Sequence, residues 1–172
     1  MKQPKILVAV PCMEQVAAGF AASLATLNKV GECSVFFICN SLIYEARNKI
    51  ALGAIKNEFD YVMWFDSNMV FEPDTLQRLL KDSLENNIDI VSGLYFRRVA
   101  PYTPVVFETI EIEGDKTTFK DYVGELSGLR EVQGAGFGCM LTKVSTLFEV
   151  FAKYGNCFSP IGNVGEDLSF LS

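Results

Sequence analysis

Short apolar runs alternate with stretches whose apolar residues recur every three or four positions through the first half of the chain. Lys5-Ile6-Leu7-Val8-Ala9-Val10, closed by Pro11, is a continuous run suited to a strand buried on both faces. Val16, Phe20, Leu24 and Leu27 then fall on one face of a helix, with Gly31 placed to end it. Ser34 to Cys39 reads as a second buried strand. Ser41 is positioned to cap a helix whose stripe is Ile43, Ala46, Ile50, Ala51, Ala54 and Ile55. Tyr61-Val62-Met63-Trp64-Phe65 is a third strand, ending at Asp66. Pro73 suits the first turn of a helix carrying Leu76, Leu79, Leu80 and Leu84, and a fourth strand covers residues 88–94. This alternation predicts βαβ units: an α/β fold with a mainly parallel central sheet and helices on both faces.

The pattern changes after about residue 97. Tyr102 to Val123 reads as short strands around the polar turn Glu113-Gly114-Asp115-Lys116. Glu131 to Thr142 is strand-like but holds three glycines, and Leu147, Phe148 and Phe151 mark a short helix. The second half is therefore a smaller, mixed β part. No repeat or linker divides the chain, so residues 1–172 are expected to form one domain.

A composition of 49% hydrophobic, 21% charged and 12% aromatic residues places the chain among globular proteins. No apolar run approaches the ~18–20 residues needed to span a bilayer. The start lacks the long apolar segment of a signal peptide, and a soluble, cytoplasmic protein is expected. A formal charge of -6 repels a polyanion, which argues against a nucleic-acid partner. The five cysteines (Cys12, Cys33, Cys39, Cys139, Cys157) lack CxxC spacing and sit mostly among apolar residues, as buried, reduced thiols do. With no histidine, Ser-His and Cys-His mechanisms are excluded and carboxylates remain as acid–base groups.

The most informative segment is Trp64-Phe65-Asp66-Ser67-Asn68-Met69, an apolar strand that ends in a carboxylate followed by polar residues. Open α/β sheets bind ligands at the carboxyl ends of their strands, where a hard cation could bridge these oxygens to a diphosphate. Locally, the commoner explanation is a strand ending in an Asx turn. Gly165-Glu166-Asp167 offers two carboxylates that would serve either as a general base or as favourable charge at a helix start. Arg47, beside Asn48, and the Arg97-Arg98 pair could supply guanidinium forks for phosphate, although single arginines are more often solvated surface groups. The glycines of Gly134-Ala135-Gly136-Phe137-Gly138 do not follow the first strand, so they read as strand bends rather than a dinucleotide fingerprint.

Taken in order, these segments resemble the GT-A glycosyltransferases, specifically the family-2-like group of bacteria and phages. The likeness runs through Ile6 to Pro11, Glu45-Ala46-Arg47-Asn48, Trp64 to Met69, Phe71-Glu72-Pro73-Asp74, Ile90 to Arg98, Gly136 to Leu141 and Gly165 to Phe170. The resemblance implies a nucleotide-diphospho-sugar donor, expected to be a UDP-sugar, bound in a nucleotide-binding half over about residues 1–97. Residues 98–172 would form the acceptor side, and the acceptor is an unspecified glycan, lipid or protein. It further implies Mg²⁺ or Mn²⁺ at Asp66 and Asn68, the Asp-X-Asp positions, and Asp167 (or Glu166) as the base for inverting transfer. Pro11 and the residues after it, Arg47, Ser67, Arg97, Gly136 and Gly138 would border the donor.

Two departures bear on that reading. Asn68 replaces the second Asp, so the cation is expected to bind weakly and together with the diphosphate. Relatives of this kind continue past the Glu-Asp pair, so an incomplete acceptor side is expected. A non-catalytic binder of nucleotide-sugars is the alternative. A sugar nucleotidyltransferase ranks third, because Met13-Glu14-Gln15-Val16 is neither glycine-rich nor basic.

Overall fold

The computed structural model describes residues 3–113, 116–160 and 170. In chain order its elements are β1 (Lys5–Cys12), α1 (Ala18–Thr26), β2 (Glu32–Cys39), α2 (Ile43–Lys56), β3 (Tyr61–Phe65), α3 (Thr75–Asn86) and β4 (Ile90–Ser92). Then follow β5 (Val106–Glu113), β6 (Lys116–Asp121), β7 (Gly134–Ala135), β8 (Cys139–Lys143) and α4 (Val144–Tyr154). The fold is α/β, with a mixed five-stranded sheet ordered β2-β1-β3-β8-β4 and a smaller three-stranded sheet ordered β6-β5-β7.

The mainly parallel sheet expected from the sequence is corrected to a mixed one. β1 pairs in parallel with both β2 and β3, but β8 inserts antiparallel between β3 and β4. The reason lies at the glycines. What reads as one strand over residues 131–142 breaks at Gly136-Phe137-Gly138 into β7, in the small sheet, and β8, in the large one. A Cβ on Gly138 would lie 2.8 Å from Tyr95 Cζ, and one on Gly136 would collide with Tyr95 Oη. The missing Cβ atoms let the chain turn beneath the Tyr95 ring, whose Oη accepts the Gly138 N–H at 3.1 Å.

Period-two alternation along β1 sends its side chains into two cores. Leu7 and Ala9 join Ile50, Ala51 and Ala54 of α2 and Leu147 of α4 on one face. Ile6, Val8 and Val10 join Phe20 of α1 and Leu76, Leu79 and Leu80 of α3 on the other. Helices thus cover both faces of the large sheet, which is why its central strands read as unbroken apolar runs.

Local readings differ from the structure at helix ends. Ser41 does not cap α2: Leu42 is its N-cap residue, with no side-chain cap bond. Pro73 precedes α3 rather than entering its first turn. Gly31 does not stop α1, which ends at Thr26. It instead directly precedes β2 with φ +68°, where a Cβ would strike the Pro4 carbonyl that accepts the Glu32 N–H. Leu84 is exposed, while its neighbour Ser83 is buried with its hydroxyl donating to Ile88 O at 2.6 Å. The fourth strand is limited to Ile90–Ser92, the stretch that β8 can pair. Among the described residues, no helix is long and apolar enough to cross a membrane.

Burial sets one pH response. Cys139 sits in the core beside Gly93, and burial pushes its thiol from an ordinary 9.0 up to about 12. Between those values the unfolded chain loses this proton and the folded chain keeps it, so stability falls as pH rises. Melting curves between pH 8 and 10.5 are expected to show a falling midpoint with a shallower slope in Cys139→Ala. Equal slopes in the two proteins would remove Cys139 from this response.

Candidate functional site

The carboxyl ends of β1, β2 and β3 meet where the chain reverses its direction of winding: α1 leaves β1 on one face of the sheet, and α2 leaves β2 on the other. Such a reversal leaves a crevice beyond the strand ends. A cavity of about 400 Å³ occupies it, lined by Pro11, Cys12, Met13, Ser41, Ile43, Arg47, Asp66, Ser67 and Asn68.

Arg47 reaches this cavity from the first half of α2 and is 3% exposed. Its Nη2 donates to Asp66 Oδ1 at 3.2 Å, and its guanidinium lies 5.2 Å from the Phe137 ring centroid. A buried cation is tolerable when it is paired and stacked in this way. The Asp66 side chain stays 36% exposed, so the carboxylate that anchors Arg47 also faces the cavity. Behind it the backbone forms a turn, with Asp66 O accepting the Met69 N–H at 3.0 Å and Ser67 O accepting Ala17 N–H at 2.9 Å. Both the turn and the cavity-facing carboxylate are therefore present at one place.

Pro11, Arg47, Asp66, Ser67 and Asn68 are thus brought together around one cavity. Gly138 touches the site only through its backbone, its carbonyl accepting the Asp66 N–H at 3.0 Å. Gly136 packs against Tyr95 and Val105 and does not line the cavity. Arg97 lies elsewhere: it pairs with Asp121 at 3.2 Å and stacks over Phe107 of the small sheet. Glu166 and Asp167 lie outside the described residues.

Asn48, read beside Arg47 as part of a basic spot, has a different task. Its Oδ1 accepts the N–H groups of Cys157 and Phe158, both at 2.9 Å, and its Nδ2 donates to Phe158 O at 2.6 Å. Sequence reading missed the contribution of Ser41 and Ile43 to the cavity, because only the pairing of β1 with β2 brings the segment after β2 beside Pro11 and Cys12. A larger cavity of about 780 Å³ lies along β4 and the segment before β7. Its wall includes Ile90, Leu94, Leu126, Leu129 and Met140, and its arginine, Arg130, is tied to Glu125 at 3.0 Å. The smaller cavity is the one that combines a buried arginine, a carboxylate and an amide.

The oxygen donors there are hard: one carboxylate, two hydroxyls and one side-chain amide. It suits Mg²⁺ or Mn²⁺ only as part of a shared shell, since these ions prefer six oxygen ligands and readily take several from phosphate and water. Among the described residues, no group of three or more His, Cys, Asp or Glu side chains is arranged to hold a metal alone.

The architecture defines a mixed-sheet α/β protein with a crevice at its strand ends. Among solved structures the chain is similar to A197 from STIV, with a TM-score of 0.69 and 19% identity over 97% of this chain and 76% of that one. At that identity the likeness is one of fold. No family model and no curated protein matches the chain.

Proposed function

We propose that the chain is a GT-A-type, inverting glycosyltransferase that binds a nucleotide-diphospho-sugar, a UDP-sugar in the first instance, in the crevice at the ends of β1, β2 and β3. The observation that carries this reading is the meeting of buried Arg47 with cavity-facing Asp66, beside Asn68, in one cavity. An anionic donor approaching a chain of charge -6 needs a local cation, and Arg47 supplies one whose fork matches phosphate oxygens. Asp66 and Asn68 would hold Mg²⁺ or Mn²⁺ jointly with the diphosphate, and the bound ion would offset charge on the leaving group. Pro11, Met13 and Ile43 give the cavity an apolar side fitted to a base and ribose. Asp167, or Glu166, is assigned the base on the ground of the motif order. The acceptor belongs to the second half of the chain, and a cytoplasmic location is part of the proposal.

The non-catalytic alternative draws on the same geometry. Asp66 already shares its charge with Arg47, and Asn68 adds none, so such a site could bind without driving transfer. Calorimetry of UDP and UDP-sugars with and without Mn²⁺ tests donor binding. Asn68→Asp is expected to strengthen Mn²⁺-dependent UDP binding by about tenfold, equivalent to ~1.4 kcal/mol. Asp66→Asn is expected to abolish the Mn²⁺ dependence. An Asn68→Asp protein with unaltered metal dependence would show that position 68 is no ligand. Donor binding without transfer across an acceptor panel would favour the binder.

A further inference from the structure

Cys12 is the last residue of β1 and Cys39 the last residue of β2, and the parallel register sets them directly opposite each other. Neighbouring strands lie about 4.8 Å apart and paired residues project from the same face, which is inside the Cα separation a disulfide accepts. The two Sγ atoms are already 3.2 Å apart. Closing to a bond of ~2.05 Å takes only side-chain rotation of about an ångström. The other thiols have different neighbours: Cys33 Sγ donates to Val30 O at 3.1 Å, Cys157 Sγ donates to Leu147 O at 3.2 Å, and Cys139 is buried beside Gly93.

Access completes the arrangement. Cys39 is exposed, whereas Cys12 is half-buried and lines the 400 Å³ cavity with Pro11, Met13 and Ser41. Between Cys39 and Ser41, Asn40 holds a left-handed φ of +56°, turning the chain straight from the thiol into the cavity wall. We propose that Cys12 and Cys39 form a redox-active dithiol that small-molecule disulfides convert into a disulfide at the wall of the crevice. This goes beyond nucleotide-sugar binding and stands whichever ligand the cavity takes.

The reaction is a two-step exchange. The Cys39 thiolate attacks one sulfur of a disulfide such as oxidised glutathione, forming a mixed disulfide and expelling one glutathione thiolate. Cys12, on losing its proton, attacks Cys39 Sγ, forms the Cys12–Cys39 bond and expels the second thiolate. Two protein thiols are oxidised by two electrons, one glutathione disulfide is reduced to two glutathiones, and the two protons pass to the departing thiolates. Burial and the adjacent Cys39 push the Cys12 thiol up to about 11, so it is the slower resolving partner and the exchange accelerates with rising pH.

The test is incubation of the native protein with oxidised glutathione, followed by intact mass measurement and peptide mapping after alkylation. The expected result is loss of two hydrogens in mass, one crosslink between the Cys12 and Cys39 peptides, and alkylatable Cys33, Cys139 and Cys157. Dithiothreitol is expected to reverse it, and Cys39→Ser to prevent it. An unchanged mass, a stable glutathione adduct, or a crosslink to another cysteine would overturn the assignment. Mapping of the wild-type protein decides the matter even if the variant folds poorly. No nucleotide enters the experiment, so its failure is separable from failure of the donor-binding proposal.

Discussion

Asn48→Ala is expected to lower stability by about 2–4 kcal/mol, because each buried backbone group deprived of its partner costs ~1–3 kcal/mol. One amide side chain here satisfies two N–H groups and one carbonyl of the segment just after α4. Solvent reaching the partly buried edge of this network keeps the total below the sum of three full penalties. For a chain of this size the melting midpoint is expected to fall by about 5–15 °C. The same loss reaches the site. Phe158, fully buried, packs edge-on against Trp64 and Phe137, and Phe137 is the ring beneath Arg47. Thermal denaturation followed by circular dichroism measures the first effect, and UDP calorimetry at low temperature measures the second. A midpoint shift under ~2 °C would mean that water replaces the Asn48 contacts at little cost.

Asp167→Asn is expected to reduce glycosyl transfer by about 10²- to 10⁴-fold with donor affinity nearly unchanged. In the proposed transfer, direct displacement at an anomeric carbon needs a base on the acceptor side only, since Arg47 and a cation would offset the charge of the departing diphosphate. The prediction rests on the resemblance and the motif order. Glu166→Gln is the control and is expected to have a smaller effect. Single-turnover transfer with a saturating UDP-sugar distinguishes the roles, and a normal rate in Asp167→Asn would refute this one. A parallel loss of donor binding would mark the carboxylate as a structural group at a helix start.

Much of the large sheet was legible because its central strands are covered on both faces. Ile6 to Val10 and Tyr61 to Phe65 contain nothing but apolar residues, and no other element of that length accommodates such a run so well. The second strand was legible as a strand, but its expected burial is corrected: β2 lies at the sheet edge, its apolar residues are only partly covered, and Phe36 and Phe37 are exposed. Pairing was harder to read. That β8 lies antiparallel to β3 depends on contacts between residues far apart in sequence, which local periodicity does not encode. Leu84 is exposed where the apolar stripe predicted burial, and the buried position is its neighbour Ser83, whose hydroxyl satisfies Ile88 O in the turn after α3. At the site, Asp66 and Arg47 could be picked out singly, but only the fold joins them. The meeting of Cys12 with Cys39 had no sequence signal, as neither spacing nor composition reports strand register.

The insertion of β8 also bears on how the protein is made. During synthesis β1, β2 and β3 leave the ribosome early, yet the partner of Tyr61–Phe65 on its outer side is Cys139–Lys143. Until that late segment arrives, β3 presents an open edge of wholly apolar residues, and β4 has no strand to pair with. Open apolar edges are templates for pairing with another chain. Closing a loop of that length also slows folding, because its entropy must be lost before the pairing contributes. The first half is therefore exposed to aggregation while the second is still being translated, and slower elongation before Cys139 lengthens that exposure.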